Sequence, residues 1–98
     1  MTINENKNGS ALTIALEGRL DTMTSPQLEE KLNASLEGVT DLVLDLEKLE
    51  YMSSAGLRVL LAAQKQMNKQ GSMKVTNVNQ IISEIFEVTG FSEILTIE

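Results

Sequence analysis

The chain has 98 residues, of which 22% are charged, and its formal net charge at pH 7 is -6. This length fits one domain, so residues 1–98 are expected to share one hydrophobic core. The sequence has no cysteine and no histidine, which excludes disulfides, Cys/His metal sites and every catalytic arrangement that needs a histidine base. Its acidic balance and its single Tyr and two Phe argue against a nucleic acid as the partner.

The chain also lacks the patterns of export, membrane insertion and cofactor binding. Its N-terminal residues have no basic stretch followed by an apolar one, and no apolar run approaches the ~20 residues of a membrane-spanning helix. Neither a phosphate-binding glycine loop nor a dinucleotide fingerprint is present. We therefore expect a cytoplasmic protein, without membrane insertion, that uses no cofactor and no metal.

The N-terminal part predicts a β-hairpin. Asn8-Gly9 is typical of a tight turn, and Leu12, Ile14 and Leu16 alternate with residues that are less apolar. This pattern predicts two antiparallel strands, over residues 2–7 and 11–17.

A helix is predicted after the hairpin. Either Thr24 or Ser25 can be its N-cap, and Thr24 would form a capping box with Gln27. Gly38 is expected to end this helix. Its buried stripe consists of leucines at helical spacing, namely Leu28, Leu32 and Leu36.

The second half of the chain alternates strands and helices. The apolar run at residues 42–44 predicts a strand over residues 39–46 that is buried on both faces. Helical spacing and capping residues then predict a long helix from about Ser54 to Gln70 and a second one between Asn79 and Gly90. Two further strands are predicted at residues 72–76 and 93–97. Because strands that follow helices are joined by right-handed crossovers, the fold class is α/β. We expect a mixed sheet of four to five strands, with an N-terminal antiparallel hairpin and three or four helices packed on it.

Two hydroxyls stand where the central strand is expected to enter the long helix, in Met52-Ser53-Ser54-Ala55-Gly56. A serine here can be an ordinary N-cap. The same position has free backbone N–H groups and a partial positive charge, and open α/β sheets bind their ligands at this edge. Asp21 follows another strand and is either a turn-forming residue or part of the same site. Three more carboxylates belong to Asp41, Asp45 and Glu47. They are either polar residues at the ends of a strand, or groups that could do acid–base chemistry or bind a divalent cation.

These motifs resemble those of a known family. Gly18-Arg19-Leu20-Asp21, the helix start at Thr24, the strand at residues 42–46, the segment from Tyr51 to Leu57 and Thr89-Gly90-Phe91 are together similar to a STAS domain. More narrowly, the chain resembles the bacterial anti-sigma-factor antagonists, over nearly its whole length. The resemblance implies the STAS fold and a binding protein that is not an enzyme.

What the resemblance implies is a phosphorylation switch. The unphosphorylated antagonist binds a partner that is both an anti-sigma factor and a serine kinase, and so frees the sigma factor. Phosphorylation ends this binding, and a serine phosphatase resets the switch. By position the acceptor is Ser54, with Ser53 as the second choice because it stands where the family usually has Asp. The expected contact residues are the βα-loop residues Asp21, Thr22, Met23, Met52, Ser53, Ser54, Gly56 and Arg58.

Two other hypotheses remain open from the sequence. The chain could be a STAS accessory subunit of a lipid-transport complex or of a stressosome-type assembly, with Ser54 serving only as a contact or as a helix cap. It could instead be a small hydrolase or nucleotide-binding protein that uses Asp21, Asp45 and the helix start at Ser54. The enzyme hypothesis lacks a general base and enough chain to enclose a substrate. We expect a monomer or a weak dimer.

Overall fold

The structure is a computed structural model that describes all 98 residues. It has four strands and three helices, with a short 3-10 turn (Phe91–Glu93) after the last helix. The strands are β1 (Thr2–Asn8), β2 (Ala11–Leu20), β3 (Asp41–Met52) and β4 (Ser72–Thr76), and the helices are α1 (Ser25–Ser35), α2 (Ser54–Gln70) and α3 (Gln80–Thr89).

The four strands form one mixed sheet in the order β1-β2-β3-β4. The β1–β2 pair is antiparallel, as the Asn8-Gly9 turn predicts, and the other two pairs are parallel. The predicted final strand at residues 93–97 is wrong, because the 3-10 turn and the turn and bend that follow it occupy residues 91–95. Only an isolated bridge between Ile97 and Val75 remains. The α/β fold class, with four strands and three helices, is confirmed.

The strand β3 is buried on one face only, so the expectation that helices cover both of its faces is wrong. Leu42, Leu44 and Leu46 are at most 1% exposed, whereas Val43 and Asp45 between them are partly exposed. Residues of all three helices join these leucines in one core cluster. The helices therefore pack on one face of the sheet and leave the other face to solvent.

The strand β3 runs six residues beyond its predicted end, because its pattern of buried residues changes period. After Leu46 the next buried residues are Leu49 and Met52, at a spacing of three. The register of β2 against β3 shifts twice in this region, between Ala15 and Glu17 and again after Gly18. Each shift accommodates an extra residue on β3, as a β-bulge does, and the core face is thereby kept.

The predicted boundaries of α3 are confirmed, whereas α1 ends before the residue predicted to end it. Asn79 caps α3 as expected, because its Oδ1 accepts the N–H of Ile82 at 2.9 Å. Its Nδ2 also donates to the carbonyl of Leu49 at 2.7 Å, which fixes the start of α3 beside β3. The helix α1 ends at Ser35, short of Gly38, and no side chain caps its N-terminus.

Gly71 follows the last residue of α2. A glycine fits this position because the backbone of Thr40 is too close for a side chain, and not because the residue adopts the left-handed conformation typical of a helix C′ glycine. Its φ is 173°, which is extended backbone. A Cβ at this position would overlap the carbonyl of Thr40 and lie 2.7 Å from the Thr40 Cα. The N–H of Ser72 donates to the same carbonyl at 2.8 Å, so β4 starts where α2 touches the loop before β3.

We predict that Gly71→Ala destabilises the fold more than Gly90→Ala. The first change forces backbone apart and should cost about 2–3 kcal/mol, as overpacking does. Gly90 has a φ of 81° with nothing near its missing Cβ. Its replacement should cost only about 1 kcal/mol of left-handed strain. Urea unfolding measures both, and equal losses would contradict the steric role of Gly71.

Candidate functional site

The candidate site lies at the edge of the sheet where β2 and β3 end side by side. Leu20 is the parallel partner of Met52, the last residue of β3. The N–H of Ser53 then donates to the carbonyl of Leu20 at 2.8 Å. This pairing sets the loop after β2 beside the start of α2, as the sequence predicts for βα loops.

The two adjacent serines have different environments. Ser53 occupies the N-cap position with an extended backbone, but its hydroxyl makes no capping bond. Its Oγ is buried and has no hydrogen-bond partner. Ser54 is the first residue of α2 and is exposed. The exposed hydroxyl at the positive end of α2 therefore belongs to Ser54.

Two of the eight expected contact residues lie below the surface. Met52 is 2% exposed, and Gly56 is also buried. A Cβ on Gly56 would lie 2.7 Å from Cγ of Leu20 and 3.0 Å from Cγ of Met52. These residues let the first turn of α2 pack closely on the strand ends, so they position the surface residues above them.

Asp21 forms the turn between β2 and α1. Its Oδ1 accepts the N–H groups of Met23 at 3.0 Å and Thr24 at 3.2 Å, which is the Asx-turn geometry. Desolvation raises the pKa of Asp21, but these hydrogen bonds and the Arg19 charge outweigh it and hold the pKa below its usual value. The ionised carboxylate thus stabilises the turn.

Thr24 and Ser25 hold this turn from the other side and do not cap α1 with their side chains. The Thr24 hydroxyl donates to the carbonyl of Arg19 at 2.8 Å and accepts the N–H of Asp21 at 2.9 Å. The buried Ser25 hydroxyl donates to the carbonyl of Asp21 at 2.6 Å. The predicted capping box with Gln27 is therefore absent. The turn is fixed at both ends, and its tip, Thr22 and Met23, is exposed to solvent.

A cleft of about 200 Å³ joins the tip of this loop to the first two turns of α2. Its lining includes Thr22 of the loop, Ala55 and Arg58 of α2, and Glu29 of α1. Arg58 is exposed and forms no ion pair. The structure therefore brings Thr22 and Arg58 together in one cleft beside Ser54.

Sequence reasoning missed one pair of residues at this edge. The Arg19 guanidinium lies 4.5 Å from the centre of the Tyr51 ring, in cation–π geometry. Its Nε is also 3.8 Å from a carboxylate oxygen of Asp21. The only tyrosine of the chain, at the end of the strand that leads to the serines, could have indicated this contact.

The three other carboxylates lie apart from the serines. Asp45 stabilises the bulge of β3, because its Oδ1 accepts the N–H of Glu47 at 3.0 Å and the Asn77 side chain at 3.1 Å. Asp41 accepts the Ser72 hydroxyl at 3.2 Å. Met52 lies seven positions further along the strand than Asp45, which is at most about 23 Å. These groups do not form a joint site with Ser54, and no cluster of three or more acidic residues suited to a metal is found.

None of the helices is long and apolar enough to span a membrane.

Comparison with protein families identifies the chain over residues 3–96, which match the family model described as "Mlab, STAS domain". The match therefore includes both βα loops and all three helices.

Two relatives narrow the family. The chain is 35% identical to BtrV of Bordetella bronchiseptica, provisionally named an anti-sigma factor antagonist, over 99% of this chain and 85% of that protein. It is 34% identical to the anti-sigma-B factor antagonist of Bacillus subtilis, over 97% of this chain and 86% of that protein.

The fold is similar to that of the anti-sigma factor antagonist SpoIIAA in its unphosphorylated form. The TM-score is 0.85, with 19% identity, and the match covers 99% of this chain and 88% of that one. The same fold is found in the phosphorylated form of the Bacillus SpoIIAA, with a TM-score of 0.77. On the strength of the family match and the two relatives, the chain belongs to the STAS domain family, in the group of the anti-sigma factor antagonists.

Proposed function

We propose that this protein is an anti-sigma factor antagonist whose binding is switched off by phosphorylation of Ser54. The unphosphorylated form binds an anti-sigma factor that is also a serine kinase, and thereby frees the sigma factor. The observation that carries the proposal is the contrast between the two serines: Ser54 is exposed at the start of α2, whereas the Ser53 hydroxyl is buried. The relatives named anti-sigma factor antagonists support it, as does the solved phosphorylated form of SpoIIAA.

The physics of a phosphate at this position fits a switch in binding and not in folding. A phosphoryl group adds about 1.5–2 negative charges at pH 7. At the exposed N-terminus of a helix it gains about 0.3–1 kcal/mol from the dipole, so the fold tolerates it. Inside a protein interface the same charge must be desolvated, which costs several kcal/mol when it stays unpaired.

The proposed contact surface consists of the Asp21 loop and the first two turns of α2. Thr22, Met23, Ser54 and Arg58 supply exposed atoms, while Met52, Gly56 and the Ser53 hydroxyl act from below by shaping the surface. Residues 1–98 then act as a single STAS domain in the cytoplasm, as a monomer or weak dimer without catalytic activity. A serine phosphatase returns the protein to its binding form.

The accessory-subunit hypothesis makes a different prediction for the same residues. In a lipid-transport complex or a stressosome-type assembly, Ser54 would serve as a contact and would receive no phosphate. The relatives that are named anti-sigma factor antagonists favour the switch. Phosphate incorporation at Ser54 therefore separates the two hypotheses.

Ser54→Ala should fold normally and bind the anti-sigma factor persistently. The Ser54 side chain is exposed in the free protein, so its loss should change stability by less than about 0.5 kcal/mol. Ser54→Asp should also fold, but an unpaired charge in the interface should weaken binding by about 2–4 kcal/mol. Isothermal titration with the purified serine-kinase anti-sigma factor of the source bacterium measures both affinities.

Ser53→Ala is the matched control for the acceptor. It should keep ATP-dependent incorporation of phosphate, because the Ser53 Oγ is buried and Ser54 remains. Incorporation that is lost in Ser53→Ala and kept in Ser54→Ala would move the acceptor to Ser53. Incorporation at neither serine would refute the switch and favour the accessory-subunit hypothesis.

Asp21→Ala should weaken binding of the same anti-sigma factor, because the turn that presents Thr22 and Met23 loses its acceptor. Asp21→Asn keeps an oxygen acceptor and should retain most of the binding.

The pKa of Asp21 is lowered in the fold. The stability that its charge contributes is therefore complete above the unfolded pKa and is lost as the pH falls through the folded value. Urea unfolding of wild type and Asp21→Asn should differ at pH 7 and converge at strongly acidic pH; a difference that grows in acid would contradict this sign.

A further inference from the structure

The helix α3 is apolar over a wider arc than the core needs. Its inner stripe, Ile82 and Phe86, is fully buried. A second stripe at i, i+4 and i+7 consists of Ile81, Ile85 and Val88. Val88 is 88% exposed and Ile81 is 57% exposed, so these two side chains add little to the stability of the free protein, whereas Ile85 also packs against the core.

Tyr51 extends the second stripe into a continuous surface. Together with Ile81, Ile85 and Val88 it lines a shallow depression of about 420 Å³, which we name the α3 patch. The hydroxyl of Thr89, at its rim, is turned away and donates to the Ile85 carbonyl at 2.7 Å. Contiguous apolar surface of this kind is typical of a protein interaction site.

The α3 patch is continuous with the proposed contact surface. Tyr51 stands two residues before Ser53 at the end of β3, and the Arg19 guanidinium that stacks on its ring also pairs with Asp21. The start of α3 is fixed at the same sheet edge by the bond from Asn79 to Leu49. One partner seated on the Asp21 loop and Ser54 can therefore reach Tyr51 and α3 without a break in contact.

The charges around the patch indicate the chemistry of its occupant. Glu84 lines the depression, and α3 contains no lysine or arginine. Arg19, the cation that stacks on the Tyr51 ring, is already paired with Asp21. A second copy of this chain would carry the same net charge of -6, so its approach would be opposed by like charge. A partner segment with apolar side chains flanked by basic residues fits the surface.

We infer that the α3 patch is a phosphorylation-independent anchor for the same anti-sigma factor that binds at Ser54. This inference rests on the proposed function and adds a second part to its interface. The anchor contributes apolar burial in both phosphorylation states, while the phosphate at Ser54 removes only the contacts at the edge of the sheet. The anchor also holds the kinase on its substrate, so its loss slows the phosphorylation of an unchanged Ser54.

The test compares Ile81→Ser/Val88→Ser with Ile97→Ser as the control. Ile97 is 38% exposed and lies beside β4, outside the patch. The probe is the purified serine-kinase anti-sigma factor of the source bacterium. The double variant should bind it at least about tenfold more weakly and take up phosphate more slowly at low kinase concentration. The control should match wild type in both measurements, and circular dichroism should show that all three proteins fold.

The outcomes separate this inference from the proposed function. Suppose that wild type binds the kinase and that Ser54→Asp weakens this binding. If the double variant then binds as tightly as wild type, the anchor alone is overturned. Wild type that neither binds the kinase nor receives phosphate overturns both proposals. A dimer seen for wild type by sedimentation velocity and lost in the double variant assigns the patch to a second copy and also overturns the anchor.

Discussion

The parallel pairing of the ends of β2 and β3 is the constraint on which the site depends. Leu20 and Met52 are the last pair, and the bond from the Ser53 N–H to the Leu20 carbonyl extends the pairing into the start of α2. Gly56 lets the helix approach this pair, because any side chain there would meet both residues. A rigid strand edge thus determines where the Asp21 loop and the two serines stand relative to each other.

This constraint explains why two neighbouring hydroxyls differ in chemistry. Ser53 is held against the strand edge by its own backbone bond, so its Oγ is enclosed without a partner. A buried hydroxyl without a partner costs free energy, which the packing of the helix start must offset. Ser54, the next residue, is the first residue of α2, and it faces solvent. An enzyme that must reach a serine hydroxyl therefore finds one and not the other.

The sequence was informative where a residue acts locally and less so where distant segments meet. Asn79, Gly90 and the Asn8-Gly9 turn act on backbone next to them in the sequence, and their predicted roles are confirmed. The extent of β3 was missed because its two bulges depend on the register against β2. The capping box at Thr24 was wrong for a similar reason: its hydroxyl is used by Arg19 and Asp21, in the turn before the helix. The one-sided burial of β3 likewise depends on where three separate helices pack.

The same limit applies to function. The proposal for Ser54 and the Asp21 loop could be made from the family motifs because these features are contiguous in the sequence. The α3 patch joins the end of β3 to a helix some thirty residues later, and only the fold brings Tyr51 beside Val88.

An interface in two parts also suits a reversible switch. If every contact depended on Ser54, the phosphorylated form would have no remaining contact with its kinase, and the single charge would have to oppose the whole binding energy. When the apolar contacts lie apart from the modified serine, the charge has only to outweigh the contacts at the sheet edge, and several kcal/mol of desolvation is of the right size for that.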